Sequence, residues 1–273
     1  MTVANFIPSV WSDQTIDRWV AEVVFPTLVS RKYEGIAAKG NVVKLTGVVA
    51  PDITDYKAAG RVTSAQNIGD TGVDLLINQE KSFDFKIDDI DATQAAGSFG
   101  DWTNAAGDAL ATDSDAFIGG LLITNGTALA GSPATPTSGD AAWNLLVSAR
   151  KQLQKAKVPA ANRVVGINAE FEALLLQANS KLTAFDTSGD NNGLREATIG
   201  KILGMRIVSA ANLPVVNYPQ FVAFHQNAAA YVSQLDKVEA LRANDSFADR
   251  YRGLHVYGGK VIKPTGVVYY TGS

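Results

Sequence analysis

The stretch "LLINQEKSFDFKIDDIDATQAAGSFGDWTNAAGDAL", Leu75 to Leu110, changes its rhythm partway along. From Val73 to Ile87 the odd positions read Val, Leu, Ile, Gln, Lys, Phe, Phe and Ile, and the even positions are mostly charged or amide. A period of two marks a half-buried strand. Beyond Asp91 the large residues fall at Phe99, Trp102, Leu110, Phe117 and Leu121, with Ala in the gaps. That spacing is near 3.6, the period of a helix. The stretch predicts a long strand over 73–87 that feeds a helix starting near Asp88–Asp91 and ending about Leu122. Acidic groups at its start suit the positive end of the helix dipole. Gly97, Gly100, Gly107, Gly119 and Gly120 each weaken such a helix by about 1 kcal/mol against Ala, and they permit a bend or a close approach.

Upstream, "GNVVKLTGVV" (40–49) reads as a partner strand. The residues between the two, "APDITDYKAAGRVTSAQNIGDTG" (50–72), are polar and rich in Gly and Asp, and hold too few large apolar groups for a core of their own. Residues 40–87 therefore form a two-stranded flap with a long excursion. The first 34 residues begin extended around Pro8, then form a short helix capped by Ser12 or Asp13. That helix carries Ile16, Trp19, Val20 and Val23 and closes before Pro26. Two Trp and two Phe require this arm to dock on something.

Downstream, "GTALAGSPATPTSGD" (126–140) is a linker. Helix, strand and helix follow at 140–157, 163–168 and 169–179, then strands at 201–210 and 220–233. "GLHVYGGKVIKP" (253–264) reads as a hairpin turning at Gly258–Gly259. The order implies an α/β lobe near 140–235 and a second layer built from the long helix and the C-terminal strands.

Bulk properties narrow the function. A chain of 273 residues buries a core without staples, and the absence of cysteine excludes disulfides, iron–sulfur clusters and thiol catalysis. A net charge of −3 gives the whole chain no strong grip on nucleic acid. The charge is uneven: residues 1–125 hold 9 basic and 17 acidic groups, and the remainder hold 15 and 10. Chance differences between solvated faces produce such a split, and so does a design in which one half meets the other half of a neighbouring copy. No signal-peptide pattern opens the chain and no run is long enough to span a bilayer, so a soluble, cytoplasmic protein is expected.

Catalytic motifs are missing: there is no GxSxG, HExxH, GxxxxGK[ST] or GxGxxG. His225 and His255 are isolated and read as structural. Asp101, Asp108 and Asp115 share a helix face but stand about 10 Å apart in succession, too far to share a metal, and read as a solvated stripe. "DTSGDNNG" (186–193) fails the calcium-loop pattern in either register. Lys151, Lys155 and Lys157 form a short basic face. No catalytic, cofactor or metal residue is assigned.

The order of parts, and the segments "NFIPSVWSDQTIDRWVAEVVFPTLVSRKYEG", "KSFDFKIDDIDATQA" and "IGKILGMRIVSAANLP", resemble the major capsid proteins of tailed bacteriophages across essentially the whole chain. The resemblance implies an α+β class and the Johnson capsid fold. Residues 1–34 would be an N-terminal arm and 35–87 the extended loop. Residues 88–134 with 236–273 would form a peripheral domain with a long spine helix, and 135–235 an α/β axial domain. It implies a non-enzymatic subunit of an icosahedral virion shell around double-stranded DNA, built from pentamers and hexamers in the host cytoplasm. Expected partners are a scaffolding protein, a portal and packaged DNA in non-specific contact, with no membrane and no cofactor. Trp11, Trp19 and Phe25 of the arm, and Tyr56, Lys57 and Arg61 of the flap, are the expected inter-subunit contacts. Some members crosslink a flap Lys to an Asn with a Glu as base; Lys57 lies in the flap, but no such pair is assigned to it. An assembly-guiding segment is expected to be either removed or supplied separately. An encapsulin-type compartment and a small-molecule enzyme with a site of scattered Asp, Arg and Tyr are the rival readings.

Overall fold

The runs Arg163–Ile167 and Gln220–His225 are buried at every position. Strands can bury every residue only when both faces of their sheet are covered. In the computed structural model they are β5 and β8 of a six-stranded mixed sheet. Its other strands are β4 (Thr127–Ala128), β6 (Lys201–Ile202), β7 (Met205–Ser209) and β11 (Val267–Thr271), in the order β4-β11-β8-β5-β7-β6. The structure describes residues 22–34, 40–48, 51–63, 65, 67, 69–89, 100–177, 200–244 and 246–272.

Alternate residues of this sheet face two different helix layers. Val165, Ile167, Phe221, Ala223, Val268 and Tyr270 pack on α3 (Gly139–Lys155) and α4 (Ala169–Leu175), through Leu146, Ala149, Leu153, Phe171 and Leu175. Ser138 caps α3 by accepting from the Ala141 N–H, and Asn168 caps α4 by accepting from the Phe171 N–H. The opposite residues, Val164, Val222, Phe224 and Val267, pack on α1 (Phe25–Leu28) and the long α2 (Gly100–Asn125), through Phe25, Ile118 and Leu122.

From the sheet the chain passes through a 3₁₀ turn at Gln226–Ala228 into β9 (Ala229–Arg242) and β10 (Ala248–Val261). With β3 (Gln79–Asp88) these form an antiparallel sheet of order β3-β10-β9. A third sheet pairs β1 (Val42–Val48) with β2 (Asp70–Leu76).

Several sequence expectations need correction. The alternation over 73–87 belongs to two strands in different sheets, which change partners at Ile77–Asn78. Pro26 occupies the first turn of α1, where its missing N–H costs nothing. The expected strand 220–233 is broken by the 3₁₀ turn. The expected strand 201–210 is a tight hairpin, turning at Leu203–Gly204 with positive φ at both residues. Gly258–Gly259 is not a turn. Both residues lie within β10, where a Cβ on Gly258 would stand 2.2 Å from the Leu76 carbonyl oxygen. A Cβ on Gly259 would stand 2.8 Å from Ile118 Cδ1. These glycines mark a crossing of three elements. Asp88, expected at the start of the long helix, is the last residue of β3. Residues 90–99, the arm helix around Ile16 to Val20 and the 186–193 segment lie outside the described residues.

Candidate assembly surfaces

The flap stands on a small apolar root. Val43, Leu45, Leu75 and Ile77 of β1, β2 and the residue after it pack on Ala230 and Val232. Beyond the root, residues 51–63 are exposed throughout; Ile53 is 98% exposed and Val62 72%. Local bonds alone shape the tip. Asp55 Oδ1 accepts from the N–H groups of Lys57 (2.9 Å) and Ala58 (3.2 Å), and the Arg61 N–H donates to the Tyr56 carbonyl at 2.8 Å. Gly60 and Arg61 both take positive φ. The structure thus gathers Tyr56, Lys57 and Arg61 on one exposed knot, with Ile53 and Val62 largely uncovered and Tyr56 half covered.

Phe25 is placed differently from the expectation. It is fully buried in its own subunit and offers no surface to a neighbour. Its ring fills a slot made by two glycines: a Cβ on Gly166 would stand 2.9 Å from Phe25 Cε1, and one on Gly119 3.1 Å from Cε2. Phe224 lies alongside, with ring centroids 6.3 Å apart. Asp115 holds the same segment. Its Oδ1 accepts from the N–H groups of Val24 (2.8 Å) and Phe25 (2.6 Å), and its Oδ2 accepts from Asn212 Nδ2 (2.7 Å). Asp115 is fully buried, so it is no part of a solvated stripe. The sequence carried a signal for this: Asp115 shares a helix face with Ile118 and Leu122 at i+3 and i+7, a face destined for the core. Trp11 and Trp19 lie outside the described residues.

The β3-β10-β9 sheet carries a ladder of cross-strand ion pairs. Arg250 of β10 pairs with Asp84 of β3, Arg252 with Glu239 of β9, and Arg242 with both Asp89 and Asp249. Bonding to these guanidinium groups holds the Asp84 and Asp89 carboxyls below the ordinary carboxylate range, and Lys237 with Arg252 does the same for Glu239. A cleft of about 740 Å³ runs along this ladder, lined by the paired Asp84, Arg242, Arg250 and Arg252 together with Lys86 and Asn244. The aromatic row Phe83, Phe85 and Tyr251 stacks beside it, with centroid spacings of 5.9 and 5.5 Å.

Neither histidine is set for catalysis. His225 Nδ1 accepts from the Asn227 N–H at 3.1 Å, and burial, then Arg163 and Lys263, push its pKa down. His255 lies 3.2 Å from Ser233 Oγ and stacks on Tyr257, with centroids 4.7 Å apart. Tyr257 Oη donates to Asp113 at 2.5 Å, and burial followed by that carboxylate raises its pKa. No group of three His, Asp or Glu side chains is placed to hold a metal ion among the described residues. Among them no helix is long and apolar enough to cross a membrane.

The chain thus carries an exposed flap on a buried root, beside a sheet–helix layer and a covered α/β lobe. Comparison with known proteins bears on this directly. Residues 72–270 match the family model described as phage capsid protein. The chain belongs to the phage capsid protein family. A solved structure from Mycobacterium phage Che8 is similar to this capsid protein at 58% identity and a TM-score of 0.93, each chain covered in full. The capsid of the cyanophage P-SCSP1u shares 17% identity and a TM-score of 0.82, over 100% of this chain and 95% of its own. The mature capsid of bacteriophage PhiM1 shares 13% identity and a TM-score of 0.76, over 98% and 92%. The last two speak to the fold alone. No curated protein matches the chain. The capsid protein therefore has the Johnson fold, and it is a major capsid subunit that assembles into the virion shell.

Proposed function

We propose that this subunit joins its shell chiefly through the flap, which lies on an adjacent subunit and is ordered there. The observation that carries the reading is the exposed tip, with Ile53, Tyr56 and Val62 uncovered on a stalk whose root is buried. Ordering such a segment costs roughly 1–2 kcal/mol per residue, and contacts with a neighbour supply what its own chain does not. In this reading residues 88–134 with 236–273 form the peripheral domain and 135–235 the axial domain, gathered at the centres of pentamers and hexamers. The arm, with Trp11 and Trp19, reaches over a neighbour. The icosahedral shell encloses double-stranded DNA, assembles in the host cytoplasm with a scaffolding protein and a portal, and performs no catalysis.

Limited trypsin digestion tests this. Lys57 and Arg61 sit on the exposed tip. Free subunits are cut there early, and shells resist under the same conditions. Deleting 52–70 across a short Gly linker leaves the free subunit's circular dichroism near native and abolishes stable shells. Equal cleavage in both states, or normal shells from the deletion, overturns the role given to the flap.

A further inference from the structure

The loop ahead of β5 and the β6–β7 hairpin enclose a pocket of about 440 Å³. Among the described residues three cations line it, Arg163, Lys201 and Arg206, and no carboxylate does. Arg163 is only 4% exposed, and its Nε and Nη2 donate to the Pro159 and Val158 carbonyls at 2.8 and 2.5 Å. Lys201 and Arg206 face each other across the hairpin. Among the described residues no Asp or Glu forms an ion pair with any of the three. Burial and the nearby Arg150 both disfavour the Arg163 charge. The surrounding sequence makes this worse: 141–169 contains five basic residues and no acidic one, and 200–235 contains Lys201 and Arg206 and no acidic one.

A guanidinium does not escape such a field by losing its proton, because it is too strong a base to be deprotonated in a protein. The Pro159 and Val158 carbonyls answer part of that charge, and an entering anion would answer the rest. The pocket's shape selects among anions. A nucleic-acid backbone needs a broad, accessible basic surface. Here the most buried cation is recessed and held by carbonyl oxygens, and the chain as a whole is acidic. A single side-chain carboxylate on a protruding segment fits the recess, and Arg with Lys is well matched to it. The chain itself supplies a source: residues 1–125 carry 17 acidic groups against 9 basic. We propose that this pocket is a subunit-joining socket, filled in the shell by an Asp or Glu from residues 1–125 of an adjacent copy. The proposal rests on the shell reading above.

Three experiments on the whole protein test it. Shells are treated with a water-soluble carbodiimide, which joins a Lys amine to a touching carboxylate. The expected product is a covalent dimer on a denaturing gel, whose peptides link Lys201 to an acidic residue within 1–125. A Lys201 link within one chain, or to residues 126–273 of another, overturns the proposal. The second experiment reverses charge with Lys201→Glu plus Arg206→Glu. Shell yield at low salt falls at least tenfold while the melting temperature of free subunits moves by less than about 2 °C. Lys201→Arg keeps normal yield. Normal shells from the double reversal refute the socket and leave the shell function standing, whereas absence of shells from the unaltered chain would instead refute the shell reading. Fluorescence anisotropy with a short DNA duplex completes the test. Duplex binding by the unaltered subunit that the double reversal abolishes would mean the pocket serves nucleic acid, and would also overturn the proposal.

Discussion

Replacing Phe25 by Ala separates a core role from an interface role. The ring is fully buried between Gly119, Gly166 and Phe224. A buried Phe removes roughly 150–250 Å² from water, which at about 25 cal/mol per Å² is about 4–6 kcal/mol before allowance for the methyl that Ala retains. The slot cannot close easily, because strand β5 and helix α2 form its walls. Measured Phe→Ala losses in cores are about 3–5 kcal/mol, and this site belongs in the upper half of that range. The assay is urea unfolding of unassembled subunits, followed by tryptophan fluorescence. With a slope of about 2–3 kcal/mol per M the midpoint should fall by roughly 1.5 M at unchanged slope. Phe247→Ala is the control. That ring is 81% exposed in the isolated subunit, and its loss should change stability by less than about 0.5 kcal/mol. An F25A loss below about 1 kcal/mol, accompanied by failure of assembly, would return Phe25 to the interface and refute the slot.

Asp115→Ala leaves the Val24 and Phe25 N–H groups buried without an acceptor, so it should cost about 3–5 kcal/mol in the same assay. A loss under about 1 kcal/mol would show that the anchor is not held by this carboxylate. Gly258→Ala puts a methyl 2.2 Å from the Leu76 carbonyl oxygen and 2.7 Å from Ile77 Cα, both backbone atoms, and should yield little soluble folded protein. Normal expression and unfolding midpoint would contradict the crossing. His225 has a folded pKa below that of a free imidazole, so the unfolded chain takes up its proton first. The stability this lends is complete above about pH 6.5 and is lost as the pH falls below it. His225→Asn should flatten that acid-side decline in a pH series of melting temperatures, and an unchanged profile would remove His225 as its source.

Wherever one periodicity governed a segment, the sequence displayed the structure. The apolar runs of β5 and β8, the amphipathic pattern of α3 and the apolar-poor excursion between β1 and β2 all have single local causes. What stayed hidden depends on long-range partners. Alternation continues through Ile77–Asn78 although the strand changes sheets there, because period two is blind to the identity of the neighbour. The Gly258–Gly259 pair reads as a turn by local chemistry, yet the crossing of β10 with Ile77 and α2 is what demands glycine there. Asp115 looked solvated because its 91-residue-distant partner, the Val24 N–H, leaves no trace in nearby sequence. The role proposed for the flap came from the resemblance, while the basic pocket takes residues from four separated segments and shows only once they are folded together.

The central claim is that the flap of one capsid subunit is completed by another. Cryo-electron microscopy of assembled shells, at a resolution that traces the chain, tests it most directly. The account predicts closed shells in which density for residues 51–63 lies on a neighbouring subunit, with Ile53, Tyr56 and Val62 covered by that neighbour. Shells in which those residues fold back on their own subunit, or remain solvent-exposed with no neighbour in contact, would contradict it.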